Sequence, residues 1–174
     1  MRSVLACTAL LACGPSLAEV FIDVGGNTSR IESDLSGRPD TITTSDSGLH
    51  FGVGARRSFG DRSDISVRLE IDDIDASTMI AVRAFDYRFN VSDKLALTAF
   101  FGAARLDLAT PAFGYYFGGG VQWKDVLTGW DLALDARYGD KIARDNLLPS
   151  DPQGGRPDNF YDVTGFSLYL SRRF

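Results

Sequence analysis

The sequence predicts an all-β chain that closes into an eight-stranded antiparallel up-and-down barrel. Apolar and polar residues alternate along most of the chain, connecting segments are alternately short and long, and no stretch shows convincing helical periodicity. The clearest strand is Ile65–Asp72, whose odd positions are aliphatic and whose even positions are polar. Trp130–Tyr138 repeats this pattern. Such alternation indicates strands with one apolar face and one polar face.

The connections predict how the strands are arranged. Short turns are expected at Gly60–Ser63, Val91–Asp93 and Asp125–Thr128, and long polar connections at Thr28–Asp46 and Asp140–Asn159. This is the layout of an outer-membrane barrel, which has tight periplasmic turns and longer external loops. The predicted strands cover residues 19–27, 47–59, 64–73, 79–90, 94–106, 113–124, 129–139 and 160–174.

The first eighteen residues predict a secretory signal peptide. Arg2 precedes an apolar run, Val4–Cys13, which is followed by a small-x-small ending at Ala18. We therefore expect domain boundaries of 1–18 for the signal peptide and 19–174 for the barrel. Leu10–Cys13 also resembles a lipoprotein box, in which Cys13 would be acylated, although the apolar run is short for that. In either case Cys7 is removed, and cleavage at Ala18 leaves no cysteine for a disulfide.

Length and charge exclude several classes of protein. The 174 residues fit one domain, and the net charge of −5 argues against a nucleic-acid partner, which requires a basic surface. After the signal peptide, no continuous apolar span reaches the length of a transmembrane helix. The mature chain is therefore expected either to be soluble or to cross a membrane as a barrel.

The polar face decides between these two possibilities. It carries both signs of charge, so that opposite charges could pair across a lumen, and aromatic residues near strand ends (Phe85, Trp123, Trp130) favour a bilayer interface. A soluble lipocalin-like barrel with these charges on its surface is the alternative. The predicted lumen charge network comprises Arg68, Glu70, Asp86, Arg88, Asp131, Asp135 and Arg137, and the further inward candidates are Arg56, Asp72 and Arg173.

In architecture, residues 19–174 resemble the small eight-stranded outer-membrane proteins: the transmembrane domain of outer-membrane protein A, outer-membrane protein X and the opacity proteins. Gly114–Gln122 and the last strand support this resemblance locally. It implies an outer-membrane monomer that contacts lipid and lipopolysaccharide. Periplasmic chaperones and the barrel assembly machinery would recognise the outward row of Phe166, Leu168, Leu170 and Phe174. Arg172 departs from the pattern, because the penultimate outward position is usually apolar or aromatic.

Residues for catalysis or metal binding are few. His50 could act as a general base, as in outer-membrane lipid A deacylases, but the run Leu49–Val53 lacks the serine that these enzymes place nearby. Asp72–Asp75 offers carboxylates to Ca²⁺ or Mg²⁺ without the glycine turn or distal glutamate of a calcium loop. We expect no catalytic residue, metal or cofactor. The expected function is a non-enzymatic outer-membrane barrel acting in membrane integrity or through its loops, and a narrow channel for small solutes is a further alternative.

Overall fold

The computed structural model describes residues 18–35, 41–74, 77–107, 111–143 and 159–174, which form one closed antiparallel barrel. Each strand pairs with its neighbours in chain order, and β1 pairs with β8. The strands are β1 (Glu19–Leu35), β2 (Thr41–Ser58), β3 (Ser63–Ile74), β4 (Ser77–Asn90), β5 (Leu95–Asp107), β6 (Ala112–Leu127), β7 (Trp130–Ala143) and β8 (Asn159–Arg173). The predicted fold class is confirmed. Residues 1–17 of the predicted signal peptide lie outside the described ranges.

The two ends of the barrel differ in their connections. At one end, called the turn end here, β2–β3, β4–β5 and β6–β7 are joined by two to four residues. Gly60 and Gly129 have positive φ angles of 82° and 76° in two of these turns, a conformation that glycine adopts without a steric penalty. The other four connections lie at the opposite end, called the loop end. Within the described residues no helix is long and apolar enough to cross a membrane.

The first long connection was predicted wrongly. Most of Thr28–Asp46 is strand rather than loop: β1 pairs with β2 from Glu19↔Arg56 to Asp34↔Thr41. Polar side chains suggested a loop, yet the backbone of β1 is paired on both sides, because β8 continues alongside it as far as Leu35↔Asn159. The hairpin of β1 and β2 therefore extends the barrel wall at the loop end. Similarly, β7 continues to Ala143, into the second predicted connection.

A bulge in β4 changes which of its side chains face the lumen. The register shifts between Arg83 and Phe85, in the pairing with β5. As a result Ala84 and Phe85 are both exposed, whereas Arg83 and Asp86 are both buried. Strict alternation would direct only one of these two charged side chains inward. The bulge therefore adds a positive charge to the lumen.

Over most of its length the barrel is apolar outside and polar inside. On β3 the outward Val67, Leu69 and Ile71 are 50%, 41% and 41% exposed, whereas the inward Arg68 and Glu70 are 4% and 0% exposed. The other strands follow this pattern, with outward residues such as Val24, Val53, Val82, Leu97, Phe117, Leu134 and Leu168. A barrel in water has the opposite arrangement, so this exterior suits contact with lipid.

The polarity of the two faces reverses towards the loop end. On β3, Ile74 faces inward and is 1% exposed, while the preceding Asp73 faces outward. On β5, Leu106 is inward and fully buried, between the exposed Arg105 and Asp107. The buried residues there form one apolar cluster, Ile31, Ile74, Met79, Ala81, Phe100, Ala104, Leu106, Ala112, Tyr116, Ile142 and Val163. We call this cluster the apolar cap.

Candidate functional site

The lumen below the apolar cap contains a dense set of buried charges. Within the described residues it holds seven carboxylates and five guanidinium groups that are less than a tenth exposed. They are Asp23, Asp64, Glu70, Asp72, Asp86, Asp131, Asp135, Arg56, Arg68, Arg83, Arg88 and Arg137. Buried charges are normally paired because an unpaired charge away from water is costly.

The layer nearest the turn end is centred on Arg88. Its guanidinium donates to Asp64 Oδ2 through Nη2 at 2.6 Å and through Nε at 2.8 Å, and Nη1 donates to the Gln122 side-chain oxygen at 3.1 Å. Gln122 in turn donates to Asp131 Oδ2 at 3.0 Å. Arg173, whose side chain is 30% exposed, closes the layer 3.5 Å from Asp131. The connected hydrogen bonds tie β3, β4, β6, β7 and β8 together.

The middle layer joins two arginines through a tyrosine. Arg68 lies 3.1 Å from Asp23 and 3.0 Å from Asp86, and its Nη1 donates to the Tyr169 hydroxyl at 2.6 Å. That hydroxyl donates to Asp135 Oδ2 at 2.7 Å.

Arg83 completes the middle layer. It lies 2.8 Å from Asp135 and 2.5 Å from Glu70, and its guanidinium carbon is 3.5 Å from the centroid of the Phe100 ring. The Tyr116 hydroxyl donates to Glu70 Oε2 at 3.0 Å. Because Tyr116 is also a member of the apolar cap, this hydrogen bond links the ion pairs to the cap.

The layer beneath the apolar cap contains the single histidine. His50 Nδ1 is 2.7 Å from Asp72 Oδ1, and Arg137 Nη1 donates to Asp72 Oδ2 at 2.5 Å. The His50 ring is 4.8 Å from the Tyr169 ring, and the Asn27 amide donates to the Leu49 carbonyl oxygen at 2.9 Å. His50 is therefore held inside the lumen at 1% exposure, not solvated at the rim.

Inward glycines allow the aromatic side chains of the lumen to approach the wall. A Cβ atom at Gly102 would meet the Val82 carbonyl oxygen and the Tyr116 ring, and one at Gly118 would meet the Ala136 carbonyl oxygen and the Phe100 ring. In the structure the space beside these glycines is filled by ring atoms.

The predicted network residues share one interior. Arg68, Glu70 and Asp86 meet in the middle layer with Asp135, while Arg88 and Asp131 lie towards the turn end and Arg137 lies towards the apolar cap. Of the other inward candidates, Asp72 is fully buried and paired. Arg56 is 4% exposed and packs on the Phe21 ring at 4.7 Å.

The sequence reading missed several members of the network. Arg83 was missed because the bulge in β4 breaks the alternation on which the reading depended. Asp23 could have been predicted to face inward, because it lies between the apolar Ile22 and Val24. Tyr169 could also have been predicted to face inward, because it lies between Leu168 and Leu170, which were both predicted to face outward. Alternation predicts the face of the strand on which a residue lies. Which charged groups contact each other depends on how the closed barrel brings the strands together.

The predicted assembly residues lie in the last strand and just after it. Phe166 and Leu168 are each 52% exposed, Phe174 is 67% exposed, and Leu170 is partly buried. Arg172, which departs from the family pattern, faces outward with its guanidinium carbon 5.4 Å from each of the Trp130 and Phe174 ring centroids. The two rings therefore lie beside the charged group of Arg172 at the turn end.

Neither a metal centre nor a catalytic pair is evident in the described ranges. No group of three or more metal-ligating side chains is close enough to hold an ion there. In the proposed carboxylate segment, Asp72 points inward and Asp73 outward, while Asp75 lies outside the described residues. His50 contacts a carboxylate and a tyrosine ring, and its Nε2 atom is buried.

Comparison with known proteins identifies the class of fold. No family model and no curated protein matches the sequence. The crystal structure of Ail, the attachment invasion locus protein of Yersinia pestis, gives a TM-score of 0.52 at 12% identity, covering 91% of this chain and 99% of that one. Ail in a phospholipid bilayer nanodisc gives 0.50 at 12% identity, with 90% and 99% covered. OprG from Pseudomonas aeruginosa gives 0.48 at 12% identity, with 91% and 96% covered.

These similarities, at such low identity, concern the fold alone. The chain has the fold of the small eight-stranded outer-membrane barrels, which is the class that the sequence resembled. Its strand number, closure and antiparallel order agree with that class. Its lumen contains buried charges, most of which lie in ion pairs, and the apolar cap lies towards its loop end.

Proposed function

We propose that the chain is an integral outer-membrane protein without enzymatic activity. In this proposal it acts in membrane integrity and through the surface that its loop end presents outside the cell. It reaches the membrane after removal of residues 1–18, inserts as a monomer and contacts lipid and lipopolysaccharide through its exterior. Neither a cofactor nor a nucleic acid takes part.

The apolar exterior carries this proposal. All eight strands carry exposed large hydrophobic residues over the stretch in which inward residues are charged. The reversal of polarity towards the loop end limits the height of this band. A lipid environment stabilises such an exterior, whereas water would not. The filled interior supports a role that does not depend on passing solutes.

The outward row of the last strand supports a role in assembly. Phe166 and Leu168 are exposed on β8, and Phe174 follows them at the turn end. In the proposal, periplasmic chaperones and the barrel assembly machinery bind this row before the strand is buried in lipid. The same residues contact acyl chains once the barrel is inserted.

Fractionation of cells that express the full chain tests the proposal. We expect recovery in the outer membrane and a band whose gel mobility changes on boiling, because a closed barrel resists detergent until it is heated. Recovery in the soluble periplasmic fraction without such a change would contradict the proposal and favour the soluble barrel.

A further inference from the structure

The turn end carries exposed cations that lack carboxylate partners. Arg62, Lys94 and Arg172 are exposed and Lys124 is partly buried. Within the described part of the chain none of the four forms an ion pair, although Asp61 and Asp93 lie in the same turns. We call Arg62, Lys94, Lys124 and Arg172 the turn-end cations.

The backbone of the barrel fixes two of these cations side by side. The Lys124 backbone N–H donates to the Lys94 carbonyl oxygen at 2.9 Å, so two positive side chains leave adjacent strands. Adjacent like charges repel each other unless an anion lies between them. The Arg62 carbonyl oxygen accepts from the Asn90 backbone N–H at 2.8 Å, which brings Arg62 to the neighbouring hairpin.

The loop end shows the opposite arrangement. Two of its outward cations, Arg30 and Arg105, lie 2.7 Å from Glu32 and 3.1 Å from Asp107. The further outward acids there are Asp73, Asp140 and Asp162, and the last of these accepts a hydrogen bond from the Tyr138 hydroxyl at 3.1 Å. In the described residues the two rims of the apolar exterior therefore differ in pairing: Arg30 and Arg105 at the loop end face carboxylates, whereas the turn-end cations have no carboxylate within ion-pair distance, although the exposed Glu19, Asp61, Asp93 and Asp125 lie at the same end.

We propose that the turn-end cations bind the phosphate groups of anionic phospholipids in the leaflet at the turn end. This inference rests on the proposed function, because it requires the barrel to span a bilayer. Arg172 lies among Trp130 and Phe174, and aromatic rings of this kind mark the level of the headgroups. At this depth a phosphate supplies the negative charge that the protein does not place within ion-pair distance of the turn-end cations.

The geometry also explains why the loop end does not bind the same lipids. Its arginines already have carboxylate partners, and the remaining carboxylates repel a phosphate. Attraction of basic residues to an anionic leaflet falls off within a Debye length, so only residues at the headgroup level contribute.

The test compares unfolding equilibria of the full mature chain in two kinds of vesicle. One kind is made of phosphatidylcholine and the other of phosphatidylcholine with phosphatidylglycerol. The test variant is Arg62→Gln/Lys94→Gln/Lys124→Gln, which leaves Arg172 and its aromatic contacts in place. The matched control is Arg30→Gln/Arg105→Gln at the loop end.

In the vesicles with phosphatidylglycerol, we expect the triple variant to lose about fivefold in its folded-to-unfolded ratio for each cation removed. It should match the wild type in phosphatidylcholine alone, and the loop-end control should show no lipid-specific loss. An equal effect of the triple substitution in both lipids would overturn the inference and leave the proposed function intact. Failure of the wild-type chain to insert into either vesicle would overturn both.

Discussion

At the residue scale, the stability of the lumen depends on single side chains that contact two carboxylates at once. Arg83 lies between Glu70 and Asp135, all three are buried, and the Phe100 ring covers the guanidinium. Replacing Arg83 with Ala would leave two buried carboxylates short of a cation. We expect a loss of about 3–5 kcal/mol in the free energy of unfolding, measured by urea denaturation in lipid vesicles.

The control for Arg83 is an exposed ion pair of similar chemistry. Arg105 lies 3.1 Å from Asp107, and both side chains are more than 40% exposed. Arg105→Ala should cost about 0–1 kcal/mol, because solvent screens an exposed pair. Equal losses for the two substitutions would contradict the claim that burial makes the Arg83 contacts important.

The Tyr169 hydroxyl offers a smaller change at the same site. It accepts from Arg68 and donates to Asp135, so Tyr169→Phe removes one atom and two hydrogen bonds to charged groups. We expect a loss of about 1.5–3 kcal/mol in the free energy of unfolding. Tyr115→Phe is the matched control, because Tyr115 is outward and 68% exposed. A loss no greater than that of the control would show that the two charges do not need the hydroxyl.

At the element scale, alternation in the sequence was sufficient to find eight strands and most of the interior. It predicted the inward side of β3 residue by residue, because that strand runs without interruption from Ile65 to Asp72. Alternation predicted the wrong face for Arg83, because a bulge reverses the face of every residue beyond it. The amino-acid composition of the strand does not reveal such a bulge. Alternation also failed on the outer half of β1, where polar residues were read as loop although neighbouring strands satisfy the backbone.

The orientation of β3 gives a prediction for a single strand. Leu69 is outward and 41% exposed, near the middle of the apolar exterior. Leu69→Arg should cost about 2–4 kcal/mol in the free energy of unfolding in vesicles, because a charge would enter hydrocarbon. It should also reduce the yield of folded barrel in cells. The control is Asp73→Arg, further along the same face of β3, where the exterior is already charged; similar losses for both would contradict a lipid-facing β3.

At the scale of the whole molecule, two sets of buried side chains follow one another along the lumen. The ion-pair layers fill the section beside the apolar exterior, and the apolar cap fills the section towards the loop end. We therefore expect no steady ion conductance when the folded chain is reconstituted in planar bilayers. A reproducible single-channel conductance would contradict this and support the alternative of a narrow channel for small solutes.

Closure of the barrel brings together residues from opposite ends of the chain. Phe21 on β1 is the register partner of Arg173 on β8, and this seam continues to Leu35↔Asn159. Contacts between residues so distant in sequence slow folding, because the loop entropy must be lost before the contact can form. The seam cannot begin to form until β8 has been synthesised, so folding during synthesis is excluded for the complete barrel. Until the seam forms, the outward apolar residues lie on a barrel that is not closed, so aggregation competes with folding during delivery to the membrane.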